Sequence, residues 1–278
     1  MRSASFTVVF SVAIAAILSS SVAAQRLAFA WEKNSVSDRF VSALTLAEHS
    51  PLKLVDKDLS QTAIKSVIGE KLSNLTADQG VLAASVAATE FVVFLRAEAL
   101  RRNSFELGDH YEAWAAIYLI NGRDGSLVAH RLVSGKGKTE KEAIEKLESQ
   151  AAQTMRSISA AALKEKAAMP DKSEVIATVP VAGSPAAVGF VAPIPFKRIK
   201  PEYTQTAYLY SVTATVEIEI DLDEGGKISR TRIVRWAGFG LDESVDKAVR
   251  EMQWRPAYFG KTARPIRFVA QYNFRKPQ

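Results

Sequence analysis

A glycine- and lysine-rich turn is the segment of this sequence that most resembles a phosphate-binding loop. Residues 135–139 read Gly-Lys-Gly-Lys-Thr and lie between a predicted strand and a predicted helix. A P-loop needs a further glycine five residues before its Gly-Lys pair, so that main-chain N–H groups surround a phosphate. Leu132 occupies that position. We therefore interpret the segment as a basic turn in which Thr139 caps the following helix.

An acidic segment imitates the start of a calcium loop in the same incomplete way. Asp221, Asp223 and Gly226 stand at positions one, three and six of such a loop. Position twelve should be a glutamate that binds calcium through both oxygens, and Arg232 stands there instead. The spacing therefore favours a hairpin turn.

The remaining polar residues show no spacing typical of a catalytic or metal site. The three histidines are far apart in sequence, and the chain has no cysteine to complete a zinc site; they are His49, His110 and His130. Ser134 lacks the Gly-x-Ser-x-Gly context of a hydrolase nucleophile. Glu217 and Glu219 alternate with apolar residues, which predicts a solvated strand face. We predict no catalytic residue, cofactor or metal, and a protein that is not an enzyme.

Composition limits the class of protein further. A chain of 278 residues suggests about two domains, and 47% hydrophobic and 24% charged residues are typical of a globular protein. The absence of cysteine excludes disulfides, thiol catalysis and a lipid anchor on cysteine. Residues 25–165 carry 18 basic and 18 acidic side chains, whereas residues 166–278 carry 17 and 12. Because the excess of positive charge is confined to residues 166–278, we expect no nucleic-acid partner.

The N-terminus has the pattern of an export signal. Arg2 precedes an apolar run at residues 6–17, and Val22 and Ala24 are small residues at the −3 and −1 positions of a cleavage site. This predicts a signal peptide over residues 1–24. The alternative is an uncleaved membrane anchor, since residues 6–24 are just long enough to span a bilayer. Either interpretation places the rest of the chain outside the cytoplasm.

Residues 25–165 predict an α/β sandwich-like domain with the order β-α-β-α-α-β-β-β-α. Ser35 or Ser37 is the expected cap of the first helix, and one helix over residues 139–155 closes the domain. The pairs Asn121-Gly122 and Asp124-Gly125 between two apolar runs predict a hairpin. With its alanine-rich helix leading into a strand, this order resembles the N-terminal domain of TolB and the related CsgG-type lipoproteins. That resemblance implies an envelope scaffold.

Residues 166–200 predict a linker, because five prolines interrupt a segment of Ala, Val and Gly without helical periodicity.

The C-terminal module, residues 201–278, then predicts a ββαβ fold. Residues 213–221 and 227–235 alternate apolar and polar side chains around a turn. A helix starts at Leu241 with Asp242 as its expected cap, and a last strand covers residues 266–274. The whole chain is thus of the α+β class.

The C-terminal module resembles the TonB C-terminal domain family. The matching features are Leu241-Asp242 at the helix start and Trp254-x-Pro256-Ala257 at its end, preceded by a Gly-Gly hairpin. Three positions depart from the family pattern. Thr204 follows Tyr203 where the family has proline, Val212 stands where a glycine usually opens the first strand, and Met252 replaces an aromatic residue. These changes leave the choice of partner open.

The resemblance implies binding without chemistry. Transducers of this family add an extended segment of an outer-membrane receptor to the edge of the last strand. The candidate partner-binding residues here are Arg264, Ile266, Arg267, Phe268, Val269, Ala270, Gln271, Tyr272, Asn273 and Phe274. Arg264, Arg267 and Arg275 border this edge, so they suit an acidic partner or protect the edge from aggregation.

Two functions remain open. The first is an exported, non-enzymatic periplasmic envelope protein that binds a protein partner by strand addition. The second is an energy transducer anchored in the inner membrane and facing the periplasm, with an intact helix at residues 6–24. A homodimer is open in both, because modules of this family also pair through their sheets.

Overall fold

The computed structural model describes residues 25–47, 51–167 and 176–277. The predicted signal segment at residues 1–24 and His49 lie outside the described residues. Within these ranges, no helix is both long enough and apolar enough to span a bilayer. The predicted mixture of α and β structure is confirmed.

A five-stranded sheet forms the N-terminal domain. Its strands are β1 (Arg26–Trp31), β2 (Lys53–Leu54), β3 (Phe91–Ser104), β4 (Gly108–Asn121) and β5 (Leu127–Gly137). The strand order is β2-β1-β3-β4-β5, with β1 parallel to β2 and β3 and the remaining pairs antiparallel. The tip of the β3–β4 hairpin extends beyond the neighbouring strands, since β1 pairs only with residues 91–95 of β3 and β5 pairs with residues 111–120 of β4.

Helices cover one sheet face completely and the other in part. The helices are α1 (Ser35–Leu46), α2 (Lys57–Ile68), α3 (Ala77–Ala87), α4 (Glu140–Glu148) and α5 (Ala151–Ala167). Helices α1, α4 and α5 pack on the face that carries Phe29, Val93 and Ile117, and α2 and α3 pack on the face that carries Ala30 and Phe94. Strand β4 is buried on both faces, so the second face needs a further cover.

Side-chain caps begin helices α1 to α4, and two local predictions are wrong. Asn34, not Ser35 or Ser37, caps α1 through bonds from the Val36 and Ser37 N–H groups. The helix predicted over residues 139–155 is two helices, α4 and α5, and α5 continues to Ala167. Thr139 caps α4 as expected.

The C-terminal unit is a four-stranded sheet with one long helix. Its elements are α6 (Gln205–Leu209), β9 (Ala214–Leu222), β10 (Ile228–Arg235), α7 (Leu241–Glu251), β11 (Gln253–Arg255), β12 (Ala257–Phe259), β13 (Thr262–Arg264) and β14 (Ile266–Phe274). Strand β14 pairs with β9 along its whole length. The predicted cap of α7 is wrong, because Gly240 occupies that position in the left-handed conformation. Asp242 lies in the first turn.

The segment predicted as a free linker is attached to this unit. It holds three short strands, β6 (Ala177–Thr178), β7 (Phe190–Val191) and β8 (Ile194–Lys197). They pair with β14, β12 and β11 respectively. The sheet order is therefore β10-β9-β14-β6. The expectation of an unpaired, semi-extended linker is wrong for residues 177–197, because their main chain is paired with the C-terminal unit.

One apolar core joins the two units. The second face of the N-terminal sheet and the inner face of the C-terminal sheet belong to the same cluster of buried side chains, which includes Phe94, Tyr118, Val216, Ile218 and Trp236. The C-terminal unit is thus the missing cover of β4. The two units pack as one body.

Candidate functional site: the β14 edge and the contact between the two units

The outer edge of β14 presents unpaired main-chain groups. The Val179 N–H donates to the Arg267 carbonyl oxygen at 3.3 Å, so the polar groups of Arg267 point away from β9. In a strand the two main-chain groups of one residue point to the same side, and alternate residues point to opposite sides. The N–H and C=O groups of Val269, Gln271 and Asn273 therefore also point outward. Among the described residues, no strand pairs with them.

The inward side chains of β14 hold the strand firmly in the unit. The Phe268 ring lies edge-on to Trp254, with centroids 5.2 Å apart, and Phe274 packs near Tyr203 at 6.3 Å. The Tyr272 hydroxyl lies 3.9 Å from the Met252 sulfur. A partner strand would therefore meet an edge that is already ordered.

Ion pairs run across the opposite face of this sheet. Arg267 donates two bonds to Asp221, at 2.6 and 2.7 Å. Arg232 lies 3.3 Å from Glu219, and Arg235 lies 3.0 Å from Glu217. The prediction of a merely solvated face for the two glutamates is wrong, because each is half-buried beside an arginine of β10.

The sequence-predicted site residues fall into two groups. Ile266 and Arg267 pair with the linker strand β6, and the Arg267 guanidinium is bound to Asp221 within the sheet. The edge from Phe268 to Phe274 has no such cover in the described part of the chain. Arg264 and Arg275 are exposed, so an acidic partner residue would find Arg275 at the open end of β14.

Trp236 is the centre of the contact between the two units. Its side chain is fully buried, and its ring lies 6.1 Å from Phe94 and 6.0 Å from Tyr118 of the N-terminal sheet. Its indole Nε1 donates to the Gly125 carbonyl oxygen at 3.2 Å. Only glycine fits position 125, because a Cβ there would lie 1.9 Å from the Ala77 carbonyl oxygen.

Asn74 joins the N-terminal domain to β9, because its side-chain amide bonds the main chain of β9 as the peptide group of a neighbouring strand would. Its Oδ1 accepts from the Thr215 N–H at 2.9 Å, and its Nδ2 donates to the Thr215 and Trp236 carbonyl oxygens at 2.6 and 3.0 Å. Asn74 adopts a positive φ of 57°, which asparagine tolerates better than most residues. Its side chain acts as a structural link between the units.

Two buried titratable side chains lie near this contact. Asp242 accepts from the Ala237 and Gly238 N–H groups, both at 2.8 Å. Burial raises the pKa of Asp242 to about 7, against the effect of these two donors. His130 packs on Tyr118 and Phe239, and burial lowers the pKa of the imidazole to about 4. The Tyr118 hydroxyl donates to the Ala237 carbonyl oxygen at 3.0 Å.

The segments that imitate chemical motifs have structural roles. A Cβ at Gly135 would lie 2.5 Å from the Ala143 carbonyl oxygen, so this glycine lets β5 approach α4 closely. Asp223 accepts from the Gly225 and Lys227 N–H groups and stabilises the hairpin turn. No group of three or more potential metal ligands occurs in the described ranges.

A small antiparallel sheet that carries one helix and an open last strand defines the class of the C-terminal unit. Residues 199–275 match the family described as the Gram-negative bacterial TonB protein C-terminal domain. This confirms the resemblance predicted for the C-terminal module. The resemblance of residues 25–165 to TolB and CsgG-type proteins stays a prediction.

Solved structures resemble parts of this chain in fold. The TonB C-terminal domain of Pseudomonas aeruginosa is 13% identical, with 38% of this chain and 98% of that chain covered and a TM-score of 0.26. A hypothetical protein from Chlamydia trachomatis is 15% identical, covering 50% and 95%, with a TM-score of 0.33. A lipoprotein from Neisseria meningitidis is 12% identical, covering 52% and 98%, with a TM-score of 0.32. A search of curated protein sequences finds no match.

Proposed function

We propose that this chain is an exported, non-enzymatic protein of the Gram-negative envelope that binds an extended protein segment by β-strand addition along β14. Main-chain hydrogen bonds give affinity in this mode of recognition, and alternate side chains give selectivity. The bound segment belongs to another envelope protein, and an outer-membrane receptor is one such protein.

The observation that carries this proposal is the open edge from Phe268 to Phe274. The strand is ordered by nine residues of pairing with β9, yet the outward groups of Val269, Gln271 and Asn273 have no strand beside them among the described residues. Unpaired main-chain groups at a sheet edge are a template for another strand.

The packing of the two units favours this function over the anchored energy transducer. A transducer must carry its partner-binding domain on a chain that reaches across the periplasm. Here the C-terminal unit shares a core with the N-terminal domain through Trp236, Tyr118 and Phe94, and residues 177–197 are paired with it. The predicted export signal supports a periplasmic location for this body.

Site-specific photo-crosslinking tests the proposed edge. A photo-reactive residue replaces Val269 in the full chain, which is produced in Gram-negative cells from its own export signal. We expect one crosslinked envelope protein. Gln271→Pro should lower its yield about tenfold, because the substitution removes an outward N–H and places a ring on the edge; one lost hydrogen bond and the steric block together account for roughly that factor.

Lys136→Pro is the matched control, since it makes the same change at an outward position of the edge strand β5. It should leave the crosslink at Val269 unchanged. No crosslinked protein at Val269, or a crosslink that persists in Gln271→Pro, would overturn the proposed function. A crosslink only to a second copy of the chain would overturn the proposed partner as well.

A further inference from the structure

We infer that the partner segment extends past the C-terminal end of β14, and that its next residues pack on an apolar surface to which the N-terminal domain contributes. This surface, which we call the α6–hairpin surface, consists of Tyr208 and Leu209 of α6 with Phe105 and Leu107 at the tip of the β3–β4 hairpin. The inference rests on the proposed function and specifies its partner.

The linker strand determines where a partner has room. Strand β6 pairs with Ile266 and Arg267, and Val179 donates to Arg267. The first residues of the β14 edge are therefore occupied by the chain itself. A partner strand is confined to residues 268–274, and any further length of it must lie beyond Phe274.

Side-chain contacts connect that end of β14 to α6. The Lys276 Nζ lies 4.6 Å from the centre of the Tyr208 ring and 3.1 Å from the Ser211 Oγ. Lys276 follows Phe274 by two residues, which is about 7 Å of extended chain. Tyr208 therefore lies near the end of β14 past which an overhanging partner segment would continue.

Further contacts connect α6 to the hairpin. Arg102 of β3 donates to the Leu209 carbonyl oxygen at 3.1 Å, and its guanidinium lies 5.3 Å from the Tyr210 ring centre. Glu112 of β4 holds both residues, accepting from Arg102 at 2.6 Å and from the Tyr210 hydroxyl at 3.1 Å. Because Glu112 is buried, we expect this contact between α6 and the hairpin to be well ordered. Phe105 lies three residues beyond Arg102, or about 10 Å along the strand.

The exposure of the surface indicates what it binds. Phe105 is fully exposed, and Leu107, Tyr208 and Leu209 are each about half exposed, at 53%, 51% and 50%. Single exposed apolar residues are ordinary, but several along one path from a binding edge are typical of an interaction site. Arg275 adds a positive charge at the same end. The chemistry fits one extended polypeptide with an acidic residue near Arg275 and a bulky apolar residue a few positions further on.

Two crosslinking positions in the same full chain test this inference. Photo-reactive residues replace Val269 and Leu209 in separate experiments, and the crosslinked peptides are mapped by mass spectrometry. We expect both positions to capture the same partner protein, at sites within about ten residues of one another. That number follows from the extended path between the two positions.

Substitutions on the surface give a second readout. Leu209→Glu should lower the crosslink yield at Val269 about fivefold, as expected for the loss of one partly buried apolar contact. Phe105→Ser should lower it as well, and because Phe105 has no packing to lose, this variant keeps the fold. Leu59→Glu is the control, since Leu59 is an exposed leucine of α2.

The outcomes separate the two proposals. No crosslink at Val269 overturns the proposed function itself. A crosslink at Val269 that both surface variants leave unchanged overturns only the α6–hairpin surface. Capture at Leu209 of lipid, of a second copy of the chain or of a protein other than the one captured at Val269 also overturns it.

Discussion

Two of the long strands that expose an edge, β5 and β14, differ in what the rest of the chain places beside that edge. On β5 the outward carbonyl oxygens receive side-chain donors, with Gln150 bonded to Ser134 at 2.7 Å and Lys146 bonded to Lys136 at 2.9 Å. Arg131 bonds the His130 carbonyl oxygen at 2.9 Å. On β14 the corresponding groups beyond Arg267 receive no such donors in the described part of the chain.

This difference distinguishes an edge that is protected against unwanted pairing, on β5, from an edge that is left open to a partner, on β14. Exposed edges promote unwanted pairing, and proteins commonly block them with charged side chains. This chain blocks β5 with long polar side chains from α4 and the residues that follow it. The outer edge of β14 beyond Arg267 therefore differs from the protected edge of β5, and this difference supports a binding role for β14.

The largest effect is expected at the contact that joins the two sheets, where two buried groups, Asp242 and His130, change protonation. Between about pH 4 and 7 the folded chain keeps a proton on Asp242 that the unfolded chain has released, so this group makes the free energy of unfolding fall as pH rises. His130 acts in the opposite sense between about pH 4 and 6.5, since only the unfolded chain binds a proton there. The two effects largely cancel.

Asp242→Asn should expose the His130 contribution. We expect the free energy of unfolding of this variant to rise by roughly 3 kcal/mol from pH 4 to 6.5, measured by urea titrations at several pH values. His130→Gln leaves only the Asp242 contribution, so the free energy of unfolding of this variant should fall as pH rises over the same range. Parallel curves for both variants and the unmodified protein would contradict the burial of these two groups at the contact.

Proline substitutions on β14 sharpen the comparison at the edge itself. Ala270 points its main-chain groups toward β9, whereas Gln271 points them outward. Ala270→Pro should lower the free energy of unfolding by about 3 kcal/mol, because it removes a ladder bond and its ring clashes with β9. Gln271→Pro should lower it by less than about 1 kcal/mol. Equal losses in denaturant titrations would mean that the edge assignment is wrong.

Arg267 tests whether the covered end of β14 is structural. Arg267→Gln leaves the Asp221 carboxylate, which is 3% exposed, without its ion-pair partner, and should lower the free energy of unfolding by about 2 kcal/mol. Arg275→Gln, at an exposed position, should change it by less than about 0.5 kcal/mol. Thermal unfolding of both variants measures the difference. If Arg267→Gln is neutral, the arginine is free for a partner after all.

Removal of the donors on β5 tests the other edge and has the smallest expected effect. The double variant Lys146→Ala, Gln150→Ala uncovers two outward carbonyl groups, so we expect weak self-association at high protein concentration. Sedimentation velocity detects it as a shift in mean mass. Lys141→Ala, Lys164→Ala serves as the control because it removes exposed charge elsewhere on the helices. Equal behaviour of the two double variants would remove the distinction between β5 and β14.

Local patterns in the sequence predicted much of the fold. The hairpin turns follow from Asn121-Gly122 and Gly225-Gly226, and the alternation of apolar residues identifies β9 and β14. The TonB-type assignment followed from Leu241-Asp242 and the residues after the helix, and the family match confirms it. These features depend on neighbours in sequence, which is why sequence alone was sufficient.

The contact between the units could not be predicted in the same way. Strand β4 reads as apolar on both faces, which indicates that both are covered but not by what. Trp236 and Asn74 contact residues more than 100 positions away, and no local pattern encodes such a pair. The pairing of β6 with β14 was missed because two-residue strands form only where a neighbouring strand already exists. Asp242 was read as a cap because it starts a helical pattern.

The shared core also determines the order in which the chain can finish folding. The face of the N-terminal sheet that carries Phe94 and Tyr118 packs against Trp236, a residue more than 100 positions further along the chain. Contacts of such long sequence separation form slowly, and an uncovered apolar face is prone to aggregation in the meantime. During synthesis the N-terminal half emerges first, without its cover. The chain is therefore most prone to aggregation before the C-terminal unit has folded onto it.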